Sequence, residues 1–355
     1  VDGFRMDVIN YISKEAGLPD GNEAIGSMMG YTGVEKYYYG PNLHAYLHEL
    51  HERTFARHGA FSVGETPGIG MRMAQLLTAQ ERKELDMVFS FDQLETPGHT
   101  RFEDYRYDLN YYRDYITDWM EHYGTSCWMS LFYNNHDNPR MISKVDPDPA
   151  HHQAIAILLA AMQFTLKGTP FVFQGDEMGL ANASFQSIDE ISDVESKNLY
   201  AELTQEKGMS PEQAFAVILA GTREHARLPL PWNCKSGSWD PPEHLRQKVL
   251  EDVTKTYRWL IGLRRKYRNT LVYGDFKVLR RKKGVFVYRR SGEDGTIIVE
   301  CSLTEGQQRS GFRPDDHRLL FASADRRLYF GEGHVGMSTV LDPYEVRIWM
   351  KNAAE

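Results

Sequence analysis

Apolar positions along this chain change their rhythm near residue 276. Before that point, short apolar runs at residues 3–6, 60–63, 87–91, 128–133 and 170–173 alternate with longer amphipathic stretches, the pattern of parallel strands joined by helices. Leu43, Leu47, Leu50 and Thr54 recur on one helical face, as do Leu109, Tyr112, Ile116 and Trp119. Residues 151–167 are apolar on nearly every side, which predicts a buried helix that Gly168 stops before the next strand. A stripe of Val249, Val253, Tyr257 and Leu260 closes this part. From Phe276 the period becomes two, with strands at 276–279, 285–288 and 297–301 and hairpin turns at 281–284 and 291–295. The reading is α/β over residues 1–270, followed by a small antiparallel β-sandwich over 271–355.

Composition narrows the class without changing the fold. With 355 residues, 41% hydrophobic and 25% charged, the chain is long enough and apolar enough for a sizeable core. Lys+Arg 41 against Asp+Glu 49 leaves a net charge of −8, which disfavours nucleic acid and anionic membrane as partners. Cys127, Cys234 and Cys301 are scattered and form no CxxC, so a zinc site or disulfide framework is not expected and a reducing cytoplasm fits. The longest apolar run, 154–162, is too short for the ~20 residues of a membrane span, and no stretch reads as a signal peptide. The chain opens with Val1 already in a strand, and we expect it to be a fragment of a longer protein.

In parallel α/β folds ligands sit beyond the carboxyl ends of the strands, so the residues closing each apolar run are informative. Three runs close on an acid: Gly3-Phe-Arg-Met on Asp7, Ala60-Phe-Ser-Val-Gly on Glu65, and Leu131-Phe-Tyr-Asn-Asn-His on Asp137. Three carboxylates on one rim repel one another unless a charged transition state or a cation uses them. Plainer readings are a helix N-cap for Asp7, a solvated loop acid for Glu65 and a turn former for Asp137. The three together fit those readings less well, because caps and turns need no buried strand leading into them.

Gly-Phe-Arg-Met-Asp-Val (3–8), Val-Gly-Glu-Thr (63–66) and Asn-Asn-His-Asp-Asn-Pro-Arg (134–140) resemble, in order and spacing, three sequence regions of glycoside hydrolase family 13, most nearly its oligo-1,6-glucosidase and α-glucosidase branch. Gln174-Gly-Asp-Glu-Met-Gly179 and Phe185-Gln-Ser-Ile-Asp-Glu190 resemble the stretch after that family's eighth strand. The resemblance implies a TIM (β/α)8 barrel of which this chain carries strands four to eight. It implies Asp7 as nucleophile, Glu65 as general acid/base and Asp137 as transition-state stabiliser. Arg5 would hold Asp7 ionised, His136 would bind sugar hydroxyls, and Arg227 would clamp the terminal glucose. Val8 occupies the position at which α-1,6-acting members carry valine. The segment Pro229-Leu-Pro-Trp-Asn233 departs from the family's usual Pro-Met-Gln-Trp-Asp, which puts the loop geometry near Arg227 in question.

The expected activity is therefore retaining exo-hydrolysis of α-1,6 or α-1,4 glucosides of short oligosaccharides such as isomaltose. No cofactor is implied; structural calcium occurs in many members, with its usual ligands outside this chain. Other outcomes of the same resemblance are a trehalose-forming or sucrose-isomerising transglycosidase and a non-catalytic transporter subunit. A five-strand arc would leave strand edges open, so this polypeptide by itself is expected to fold poorly and to be inactive. His44, His48 and His51 share a helix, but His48-Glu-Leu-His51 is one residue short of a metalloprotease spacing. The basic cluster 264–268 suits a helix C-terminus, and Trp232 and Trp239 suit either sugar stacking or core packing.

Overall fold

The computed structural model describes residues 1–230, 247–313, 316–324, 327–333 and 338–351. Trp232, Cys234, Trp239 and most of the departing loop segment lie outside the described residues. Two compact units are present, one built of Val1–Gln93 with Asp118–Ser130, the other of Leu94–Thr117 with Leu131–Glu355.

In the first unit, β1 (Gly3–Met6), β2 (Phe61–Glu65) and β3 (Met87–Phe89) form a parallel sheet in that order, with Arg5 level with Val63 and Glu65 level with Phe89. β1 is the edge strand of this sheet, and Phe4 and Phe61 on the two neighbouring strands are about half exposed. The helix expected at Leu43 forms as Leu43–Leu50 and buries Leu43 and Leu47 completely. Ser130 at the end of this unit donates to the Val88 carbonyl at 2.5 Å, fastening it beside β3.

In the second unit, β4 (Ser130–Leu131, entered from the first unit) pairs with β5 (Thr169–Pro170), and both are shorter than the apolar runs at 128–133 and 170–173 suggest. Buried Gln163 donates its amide to the carbonyls of Leu131 (2.9 Å) and Phe171 (2.8 Å), and the Leu131 carbonyl also accepts from the Phe171 amide at 2.8 Å. Gln163 belongs to the helix Pro149–Thr165, started by Asp148 and Pro149 and buried from Ile155 onward. Arg264 caps the far end of that helix through the carbonyls of Phe164 (2.8 Å) and Leu166 (3.1 Å). Burial brings the Arg264 pKa down to about 10. This arginine of the basic cluster is a structural cap, not a surface charge.

The period-two segment forms β6 (Asp275–Lys282), β7 (Val285–Gly292), β8 (Gly295–Ser302), β10 (Arg318–Ala322), β11 (Tyr329–Gly333) and β13 (Val346–Lys351), one antiparallel sheet in the order 11-10-13-8-7-6. A short ribbon of β9 (Gln308–Arg309) and β12 (Val340–Leu341) accompanies it. Its apolar face carries Val285, Val287, Ile298, Leu319 and Trp349, and Arg113 ties it to the helix Leu109–His122 by donating to the Lys282 and Val285 carbonyls. No helix among the described residues is long and apolar enough to cross a membrane.

Leu158, fully buried in the Pro149–Thr165 helix, and Met28, 77% exposed, bracket the energetics of this core. Leu158→Ala will lower the unfolding free energy by about 2–5 kcal/mol, whereas Met28→Ala will change it by less than about 0.5 kcal/mol. Urea denaturation of the two variants checks the contrast.

Candidate active site

Parallel pairing sets the first part of the site. Met6 lies level with Gly64, so Asp7 and Glu65 follow at the same height on neighbouring chains. Neighbouring strands run about 4.8 Å apart, close to the ~5–5.5 Å carboxyl separation of retaining glycosidases and well short of the ~6.5–9.5 Å of inverting ones. Gly64 makes room for this: a Cβ there would lie 2.8 Å from both Ile9 Cγ2 and Leu85 Cδ1.

Arg5 sits two residues before Asp7 and therefore on the same strand face. Its guanidinium donates to Asp7 and reaches Glu65 Oε2 at 2.7 Å. The environments of the two acids differ. The Asp7 side chain is 74% exposed and that of Glu65 only 11%. Burial, and next a hydrogen bond with the Asp7 carboxyl, raise the pKa of Glu65; the Val8 N–H at 3.2 Å and the Arg5 charge oppose this without cancelling it. One acid is thus disposed to keep a proton and the other faces solvent beside a cation, the division of labour that a nucleophile and a general acid need. The N-cap position of the turn Ile9–Tyr11 is Val8 and not Asp7, and Glu65 is too buried for a solvated loop acid.

The second unit carries Asp137 in a cage of cations. Arg223 Nη1 and Arg227 Nη2 both reach Asp137 Oδ1 at 3.0 Å, and His136 Nε2 lies 3.2 Å from Oδ2. Arg227 Nε also donates to the His136 carbonyl (3.0 Å), and Arg101 to that of Asp137 (2.9 Å). Behind this first ring, Glu195 bridges Arg101 (2.5 Å) and Arg223, and Asp193 holds Arg223 Nε at 3.2 Å. Burial would raise the Glu195 pKa, but the two arginines outweigh it and hold the carboxyl below its usual range. Asp137 is therefore an ion-paired group and not a simple turn former.

The loop bearing His136 and Asp137 is pinned on both sides. Asn134 donates to Asp176 Oδ1 (2.8 Å) and accepts from the Met141 amide (2.7 Å). Arg140, without exposed surface, bonds the Gln174 carbonyl (3.0 Å) and Asp176 (3.3 Å). Complete burial pushes Asp176 up to about 6 despite that arginine. The motif Asn134–Arg140 is in this way a closed bracket whose two ends grip the turn after β5.

Sequence reasoning named Arg5, Asp7, Val8, Glu65, His136, Asp137 and Arg227, and the structure gathers them into two groups, 5–8 with 65 and 136–137 with 227. It overlooked Arg101, Glu195 and Arg223. Arg223 stands one helical turn before Arg227, a spacing that could have flagged it; Arg101 and Glu195 lie in segments with no pattern. His44 pairs with Glu84 (2.7 Å) and Tyr39 (2.8 Å), and no group of three potential ligands is arranged to hold a metal among the described residues.

These features meet in known proteins. The profile of the α-amylase catalytic domain matches residues 1–268, and the chain belongs to the α-amylase family of glycoside hydrolases, whose TIM-barrel fold it shares together with a C-terminal antiparallel sheet. It is 32% identical over 372 residues to an oligo-1,6-glucosidase of Halalkalibacterium halodurans, covering 99% of this chain and 65% of that enzyme. Among solved structures, trehalose-6-phosphate hydrolase of Bacillus licheniformis superposes with a TM-score of 0.81 at 26% identity, over 98% of this chain and 65% of that one. Trehalulose synthase of Pseudomonas mesoacidophila MX-45 gives 0.82 at 27%, over 99% and 65%. The chain spans just under two thirds of the length of each.

His225, between the two arginines, supplies a pH test. It is buried and neutral, accepting from the Ala183 amide at 3.1 Å and facing the Leu219 carbonyl at 2.9 Å, and burial depresses its pKa to about 4. The unfolded chain, at the ordinary 6.5, takes up the proton first as pH falls. The resulting stability is complete above 6.5 and declines toward pH 4, by on the order of 3 kcal/mol in all. Urea midpoints between pH 7 and 4.5 should fall less steeply in His225→Gln than in the parent.

Proposed function

We propose that the whole protein is a retaining, exo-acting α-glucosidase whose substrates are short α-1,6-linked glucosides such as isomaltose, with α-1,4 links as a second class. The observation that carries this is the Arg5-bridged pair: an exposed Asp7 and a buried, proton-retaining Glu65 at the ends of adjacent parallel strands. Asp7 attacks the anomeric carbon while Glu65 protonates the departing oxygen. Glu65, now ionised, takes a proton from water, which displaces Asp7 and releases glucose with its α configuration retained. Asp137, oriented by Arg223 and Arg227, stabilises the oxocarbenium-like charge, and His136 and Arg227 grip sugar hydroxyls. In an eight-stranded barrel the strands β1 to β5 correspond to the fourth through eighth, with residues 1–270 the barrel part and 271–355 the C-terminal β domain. The α-1,6 preference is supported by Val8 and by the similarity to an oligo-1,6-glucosidase.

A second reading, sucrose isomerisation, is favoured by the likeness to trehalulose synthase. The products separate the two. Isomaltose should yield α-glucose before mutarotation, followed by proton NMR, and sucrose should yield free glucose and fructose and no isomerised disaccharide. Asp7→Asn should lower kcat at least about a thousandfold. In the parent, kcat/KM should fall as the pH rises through the elevated pKa of Glu65, and Glu65→Gln should abolish that limb. Inverted product or a fully active Asp7→Asn would refute the assignment.

A further inference from the structure

Val8 has φ 35 and ψ 43, a left-handed backbone that a β-branched residue almost never adopts. Such an outlier survives only where its surroundings dictate it. Ile9 and Asn10, which follow, are buried, and Ile9 packs into the space that Gly64 leaves open. Asn10 donates to the Pro67 carbonyl at 3.1 Å and ties the segment after Asp7 to the loop after Glu65, whose next carbonyl, that of Gly68, accepts from Tyr38. In the strained conformation the Val8 carbonyl accepts from the Tyr11 amide at 2.9 Å while its N–H turns back to Glu65 Oε2 at 3.2 Å. The left-handed Val8 thus joins an N–H directed at Glu65 by the strand before it to the buried Ile9 and Asn10 after it.

We infer that Val8 is a positioning residue acting through its main chain: its N–H, kept in place by a left-handed turn that joins β1 to the buried Ile9 and Asn10, donates to Glu65 Oε2 and, with Arg5 on the same oxygen, sets the direction in which the carboxyl presents its proton. This rests on the reading of Glu65 as the general acid/base, and it assigns Val8 a role separate from any contact of its side chain with substrate. The charged and titratable groups that also act on Glu65 are Arg5, Asp7 and Tyr11. If the left-handed turn served only to cap Ile9–Tyr11, the N–H could be removed without effect on Glu65.

The test reads the carboxyl directly and needs no turnover, so its failure is distinct from a failure of the functional reading. In the intact chain, the carboxyl carbon of Glu65 and the amide of Val8 are followed by NMR through a pH titration. The Val8 amide proton should move downfield with the same midpoint as Glu65, and the Ile9 amide should not follow. Replacing the Asp7–Val8 amide by an ester, with the isopropyl group kept, should raise the Glu65 midpoint by about one pH unit. Val8→Gly, which keeps the N–H and tolerates the left-handed backbone, should leave the midpoint within about 0.3 unit of the parent and be at least as resistant to heat. A Val8 amide that ignores the Glu65 titration, or an ester variant with an unchanged midpoint, would overturn the proposal. Should the ester variant not fold, the titration of the parent decides.

Discussion

The guanidinium of Arg5 holds two carboxyls at once, and the acid pair of the first unit depends on that contact. Asp7 and Glu65 stand level on adjacent strands, where two full negative charges would repel strongly. Arg5 relieves the repulsion at both, while the unequal burial of the acids keeps them from becoming equivalent. The same cation with two equally buried acids would only neutralise charge; with one exposed and one buried the pair has the asymmetry that the proposed nucleophile and proton donor need. Strand pairing supplies the spacing, Gly64 the room, and the strained turn at Val8 a second donor to the buried acid.

Asp137 is treated differently. Arg223, Arg227 and His136 surround it, and Asp193 and Glu195 fix Arg223 in turn. Such a network orients a carboxylate with little freedom. Behind it, the buried pair of Arg140 and Asp176 places an expensive charge where apolar residues would serve packing alone. Its evident use is geometric, since Arg140 and Asn134 close the loop that carries Asp137.

Much of this was legible in the residues because strand ends and motif order are local properties. Gly3-Phe-Arg-Met-Asp7 announces both the strand and its acid, and the two-residue offset of Arg5 from Asp7 is enough to put them on one face. The contact of Gln163 with the carbonyls of Leu131 and Phe171 was not legible, because it depends on how the buried helix Pro149–Thr165 packs against β4 and the segment after β5. Arg101 and Glu195 escaped for a related reason: their roles are set by tertiary approach to Asp137 and leave no periodicity behind. Nor does any sequence rule anticipate a valine in the left-handed region, since propensity argues against it and only the packing of Ile9 and Asn10 sustains it.

In the proposed mechanism Asp7, ion-paired with Arg5 beside a buried Glu65 whose pKa is raised, is the group that bonds to glucose. Incubation of the active protein with 5-fluoro-α-D-glucosyl fluoride, followed by proteolysis and mass spectrometry of the peptides, tests it most directly. The account predicts slow-turnover labelling by a single fluoroglucosyl group on the peptide bearing Asp7, attached through its carboxyl and absent in Asp7→Asn. Labelling of any other carboxyl, or product formation with no covalent adduct at any time, would contradict it.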